Sequence, residues 1–231
     1  MKKLNSEMNF DRKDIDVYIL LLSAPVLLTL YRYHGYSNYF ADYFPSIKSI
    51  QLFDVYCNIW QFVVFFILMF VIPVLIIKYI FKKPLNDYGL RFGDAKFGFK
   101  FVLIALPLLV VPLIYLASKM PDVRSEYPLA KILFDHREAI FWYELAYVIF
   151  YYIAWEFFFR GFLLFGLKDK LGNFNAILIQ TISSCLIHIG KPEGEIIGSI
   201  IVGIIFGAIA LRTRSILYVF ILHAAMGVLT D

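Results

Sequence analysis

Cysteine is nearly absent from this sequence. Its two residues, Cys57 and Cys185, lie far apart, and Cys185 sits inside an apolar run, so no disulfide framework staples the fold. Charge is scarce too, at 17% of 231 residues, and the net charge of +4 is no nucleic-acid signal because the basic residues sit at the ends of apolar runs. The apolar segments do not alternate with period two, which excludes barrel strands. The first residues, "MKKLNSEMNFDRKDIDVY", hold charges through Asp16 and no small-residue cleavage site after a short apolar core, so a cleavable signal peptide is not expected. There is no internal repeat and no low-complexity segment.

What remains is grease. Hydrophobic residues make up 61% and aromatics 19% of the chain, with a mean hydropathy of +0.72, whereas soluble domains are about 45–50% apolar. The apolar residues fall into seven runs, roughly 16–33, 58–82, 99–118, 141–167, 173–190, 195–211 and 215–230. Each approaches the ~20 residues that a helix needs to cross a bilayer. The expected fold is all-α, a polytopic transmembrane bundle of about seven helices, with residues 1–84 as N-terminal helices and loops and 85–231 as the functional domain. Pro25, Pro73, Pro107 and Pro112 fall inside runs, which spanning helices tolerate. The connections "KKPLNDYGLRFGDAKFGFK" (82–100), "KDKLGN" (168–173) and "RTRS" (212–215) are basic and fall on one side of an alternating model. The positive-inside rule makes that side, and the N-terminus, cytoplasmic. The mixed-charge stretch 118–140 lies opposite and is the conflict in that assignment.

Ionisable residues inside such runs cost a few kcal/mol unless they face a cavity or a partner. Four qualify: Glu156 and Arg160 in the fourth run, His188 in the fifth and His223 in the seventh. Glu144 lies nearer a run end, within reach of the interface. Glu156 and Arg160 can be read as a self-neutralising i,i+4 pair, and each histidine as a core residue bonded to a neighbouring backbone group or hydroxyl. Their depths argue for convergence instead. At ~1.5 Å per residue, Glu156 lies roughly 18 Å before the 168–172 turn, His188 roughly 22 Å after it, and His223 about 13 Å beyond the 212–214 turn. A desolvated carboxylate beside an imidazole can activate water, and a second imidazole can stabilise an oxyanion. One Glu and two His also make a plausible zinc set, with a zinc ion held by Glu156, His188 and His223 as the alternative to a site without cofactor. No "H-E-x-x-H", Gly-x-Ser-x-Gly or Gly-x-Gly-Asp motif is present; "RFGD" at 91–94 falls short of the last. Ser199 has no obvious base and reads as a packing residue.

Three segments, "WEFFFRGFLLFGL" (155–167), "SCLIH" (184–188) and "FILHAAMG" (220–227), resemble the CPBP family, the CAAX-protease and bacteriocin-processing intramembrane proteases also called the Abi family. The similarity covers roughly residues 85–231. It implies an integral protein of the bacterial plasma membrane that cleaves a peptide or protein substrate entering from the lipid bilayer, or a role in bacteriocin immunity and peptide maturation. It also implies roles for Glu156 and His188 in activating water, for His223 in steadying the oxyanion and for Arg160 in orienting Glu156. The chain departs from the family's motifs at three places. Trp155 stands where the first of two adjacent glutamates is expected, Ser184 replaces a phenylalanine, and Gly227 replaces an asparagine or aspartate. "HIGKPEGE" (188–195) offers Glu193, Glu195 and Lys191 nearby, either as a solvated loop or folded back over the cavity mouth, and the two glutamates are the next candidates for a base. The departures leave two rivals to the protease reading: a non-catalytic relative that binds peptides or partner helices, and a small transporter, which no inverted repeat supports.

Overall fold

The computed structural model describes residues 10–231, so the first half of the charged N-terminal stretch lies outside the described residues. The architecture is a helical bundle with no strand among the described residues. Five helices are long and apolar enough to cross a membrane: α1 (Arg12–Gly35), α2 (Phe53–Phe81), α3 (Ala95–Ala117), α4 (Arg137–Leu171) and α6 (Glu193–Thr213). Two apolar helices of 14 residues complete the bundle, α5 (Asn173–Leu186) and α7 (Leu217–Thr230). At ~1.5 Å per residue these two span about 21 Å, short of the ~30 Å hydrocarbon core. The seven expected runs are therefore all helical, but the fifth and seventh are too short for a full crossing. Short helices Ser37–Tyr43 and Pro121–Glu126 lie in the connections.

The helix α4 is the axis of the bundle. Of its apolar window 72% is buried, against 17–28% in the other four long helices. Its phenylalanines explain the difference: Phe157, Phe158, Phe159 and Phe162 are fully enclosed by α1, α2, α5 and α6 neighbours of the main core. Without a hydrophobic drive between helices in lipid, close packing must hold them together, and flat aromatic rings supply it. Phe62 stacks on Tyr147 at 4.4 Å, and Phe65 lies 5.7 Å from Trp155. By contrast α3 shows Leu103, Leu108 and Leu113 outward, the pattern of a lipid-facing helix. The backbone of α4 widens to i→i+5 turns over Tyr147–Tyr152 and Phe157–Phe165, as it also does over Tyr31–Gly35 in α1, Ile67–Val71 and Ile76–Phe81 in α2 and Leu106–Val110 in α3.

Small residues set the α5–α6 contact. Gly203 lies against Thr181 and Gly207 against Ile177, so the backbones approach closely enough for Gln180 Nε2 to donate to the Gly203 carbonyl at 2.9 Å. Ser199, on the same helix, donates to the Ile196 carbonyl at 2.7 Å, as a packing residue does.

The basic connection after α2 is an ordered clamp on the α6–α7 turn. Asp94 N donates to the Thr213 carbonyl at 2.8 Å, Ile216 N to Gly89 O at 3.1 Å, and Tyr218 donates its hydroxyl to Phe92 O at 2.6 Å. Gly93 has φ +55°, and a Cβ there would run into the Thr213 carbonyl, so "RFGD" is explained by this clamp. Lys170 pairs with Asp14 at 2.7 Å, and Lys83 with Asp16 at 3.7 Å, which gathers the basic connections at one end of the bundle. The opposite end is closed by Lys191–Glu126 at 2.6 Å and by Leu129 N donating to Asp231 at 2.7 Å.

Candidate active site

Glu156 and Arg160 sit one turn apart on α4 and do pair, with Arg160 Nη1 3.2 Å from Glu156 Oε1. Their side chains are 0% and 2% exposed respectively. An ion pair this deep persists only if further bonds satisfy it. The third member is His223 from α7, whose Nδ1–H donates to the same Glu156 oxygen at 2.5 Å. Glu156 Oε2 and Arg160 Nε have no protein partner, so the network is incompletely satisfied, as functional networks often are.

His188 is held separately. It follows α5 directly, and its Nδ1 lies 2.7 Å from the Ser184 carbonyl. A carbonyl only accepts, so Nδ1 carries the proton and Nε2 is the free nitrogen. The small Ser184, itself bonded to the Thr181 carbonyl at 3.1 Å, leaves room for that ring. Gly190, at φ +102°, then reverses the chain, and Pro192 leads into α6. The reversal brings Glu195 back to His188, with Oε1 4.0 Å from Nε2. Tyr127, from the α3–α4 connection, donates its hydroxyl to Glu195 at 2.9–3.0 Å. Glu193 points outward and is exposed. The "HIGKPEGE" segment thus folds back over the site with Lys191 and Glu195, while Glu193 stays outside it.

Two cavities meet here. One, of about 380 Å³, is lined by polar groups that include Tyr36, Asn58, Gln61 and Tyr151. The other, of about 420 Å³, is lined by Leu113, Leu116, Met120 and Val202, and it reaches Arg160 and Gly227. Six residues line both: Tyr127, Tyr152, Trp155, His188, Glu195 and His223. Among the four sequence candidates, His188 and His223 thus share the cavity wall and Arg160 reaches the apolar side. Glu156 lines neither cavity and reaches them through His223 and Arg160. Neighbouring helix positions point about 100° apart, and the face of α4 that looks into the cavities is that of Trp155. Its indole stands against both imidazoles, with ring centres 5.1 Å from His188 and 5.5 Å from His223. Glu144 also lies outside both cavities, with Oε2 buried and unpartnered.

The residues of the zinc set considered from the sequence are placed as follows. Glu156 meets His223 through Nδ1 and His188 Nδ1 is committed to a carbonyl, and among the described residues no three His, Cys, Asp or Glu side chains are grouped as metal ligands. Sequence reasoning missed Tyr127 and Tyr152. A signal existed for Tyr152, which precedes Trp155 by three residues and so shares its helix face. Tyr152 also explains Gly227: a Cβ at that position would overlap the Tyr152 hydroxyl, so the tyrosine fills the space that a third-motif side chain would need.

The fold and this site define a class: a polytopic helical membrane protein with a carboxylate, two imidazoles and two tyrosines on a wall shared by an apolar and a polar cavity. Residues 137–229, spanning α4 to α7, match the family model described as type II CAAX prenyl endopeptidase Rce1-like. The match contains every residue of the shared wall except Tyr127, and the resemblance to the CAAX-protease family holds for this segment. Comparisons with curated proteins and with solved structures return no match.

Proposed function

We propose that this protein is an intramembrane endopeptidase of the CAAX-protease type, hydrolysing a peptide bond in a membrane-associated substrate. The observation that carries this reading is the shared wall, where two imidazoles with Nδ1 already committed face one cavity. The apolar cavity takes the substrate, since its rim residues Leu113 and Leu116 are exposed toward lipid. The polar cavity supplies water. The matched family model is described as a type II CAAX prenyl endopeptidase; for this chain the substrate is one with an apolar segment beside the scissile bond.

In this mechanism His188 Nε2 accepts a hydrogen bond from the attacking water. Its geometry is fixed by the Nδ1–H bond to Ser184, which sets the tautomer a water-binding imidazole needs. His223, in its protonated form, donates from Nε2 to the oxyanion while Nδ1–H stays on Glu156. The Tyr152 hydroxyl, in the space beside Gly227, is the second oxyanion donor. Glu156 is a positioning residue that locks the His223 ring, and Arg160 holds Glu156. Trp155 and the phenylalanines behind it keep water to the one cavity where it reacts.

The test is cleavage of internally quenched peptides by the purified protein in proteoliposomes. Wild type is expected to cleave, and His188→Ala to lose cleavage while keeping its melting temperature. Undiminished cleavage by His188→Ala overturns the roles. Wild type that binds these peptides with no cleavage overturns the enzyme reading in favour of a peptide-binding protein.

A further inference from the structure

We propose that Glu195 is the carboxylate that takes the proton from the attacking water, in place of the one that Trp155 displaces from α4. This deepens the endopeptidase reading and rests on it. Four observations converge. Glu156 is fully enclosed and spends Oε1 on both Arg160 and His223. Glu195 is 29% exposed and lines both cavities. Its Oε1 stands 4.0 Å from His188 Nε2, too far for a direct bond and suited to one water at ~2.8 Å from each group. Finally, Lys191, the nearest cation in sequence, is paired with Glu126 at 2.6 Å and leaves the Glu195 carboxylate to Tyr127.

The step balances without a co-reactant. Water gives one proton to Glu195 while its other O–H stays on His188 Nε2. The water oxygen bonds to the carbonyl carbon, and the carbonyl π pair moves to the oxygen facing His223 and Tyr152. Collapse of the tetrahedral intermediate breaks the C–N bond, and the proton held by Glu195 passes to the leaving nitrogen. The products are a carboxylic acid and an amine, with Glu195 restored. Tyr127 is a positioning residue that fixes the carboxylate through its hydroxyl.

The experiment uses the full-length protein in proteoliposomes and the same quenched peptides. Glu195→Gln is expected to lower kcat by ~10²–10⁴-fold, the usual contribution of a general base, with KM and melting temperature unchanged. Glu195→Ala should regain part of the lost rate when formate is added, an effect that a merely structural role would not show. Glu193→Gln, two residues away and exposed, should cleave as wild type does. Should Glu195→Gln keep kcat within a few-fold of wild type while His188→Ala is dead, Glu195 is overturned and the endopeptidase reading stands. Absence of formate rescue in a folded Glu195→Ala likewise overturns it. A wild type that cleaves nothing removes both.

Discussion

The molecule contains two carboxylate–imidazole pairs whose imidazoles both stand against the Trp155 indole, and they are built in opposite ways. Glu156 and His223 are welded at 2.5 Å, backed by Arg160 and sealed from solvent. Glu195 and His188 stand 4.0 Å apart at a cavity wall, with the carboxylate steadied by a tyrosine on a connecting segment. In the proposed mechanism the same two functional groups serve different ends. A sealed pair fixes geometry, because an enclosed charge without its partner is costly. A pair separated by one water width can exchange a proton with a third molecule.

The comparison breaks most sharply at the open pair. His188→Ala should reduce turnover of a quenched peptide by ~10²–10⁴-fold, with thermal unfolding in detergent unchanged. At the sealed pair the order of effects reverses. Glu156→Gln leaves the Arg160 cation enclosed without an anion, and breaking such a pair costs about 3–5 kcal/mol. Thermal unfolding should drop clearly, and adding Arg160→Met should recover part of the loss by removing the stranded charge. If Glu156→Gln unfolds as wild type does but loses turnover, Glu156 acts in the chemistry and the contrast fails.

A smaller effect is expected at Gly227→Ala. The new methyl overlaps the Tyr152 hydroxyl, and overpacking of this kind costs about 1–3 kcal/mol. Cleavage should fall with it as the tyrosine is pushed from the oxyanion position, which a kcat measurement beside an unfolding curve will separate from simple destabilisation. The smallest effect lies far from both pairs. Asp94 accepts from Phe97 N–H and pairs with Arg212, which together hold its carboxyl below the ordinary carboxylate range. A depressed carboxylate stabilises the fold above its unfolded value near ~4 and loses that contribution as pH falls through its folded value. Acid unfolding of Asp94→Asn should therefore show a slightly shallower decline below about pH 4 than wild type does.

Much of this was legible in the chain. The Glu156–Arg160 pairing follows from i,i+4 spacing on a helix, and the common depth of His188 and His223 follows from counting residues past basic turns. The break at Gly190 and Pro192 announced that the segment after His188 leaves the helix. Other features were out of reach for definite reasons. Whether α4 turns Trp155 or Glu156 toward the cavity depends on which neighbours pack against each face, and adjacent residues look alike to a hydropathy pattern. Tyr127 acts across 68 positions of sequence on Glu195, a distance at which no local rule speaks. Fifth and seventh runs of near-spanning apolar composition became helices of only 14 residues: the fifth is bounded by the positive-φ glycines Gly172 and Gly190, and the start of the seventh is fixed by the long-range bond of Ile216 N to Gly89 O.

Composition and spacing by themselves determined that this is a helical membrane protein and that Glu156 and Arg160 lie inside an apolar helix, since burying charge in lipid is costly enough to leave a mark in any sequence. Tertiary structure alone decided which carboxylate is sealed and which is open. That choice turns on packing: the bulk of Trp155 fills the cavity face of α4, Glu156 is driven back onto Arg160 and His223, and the reversal at Gly190 swings Glu195 into the space that remains.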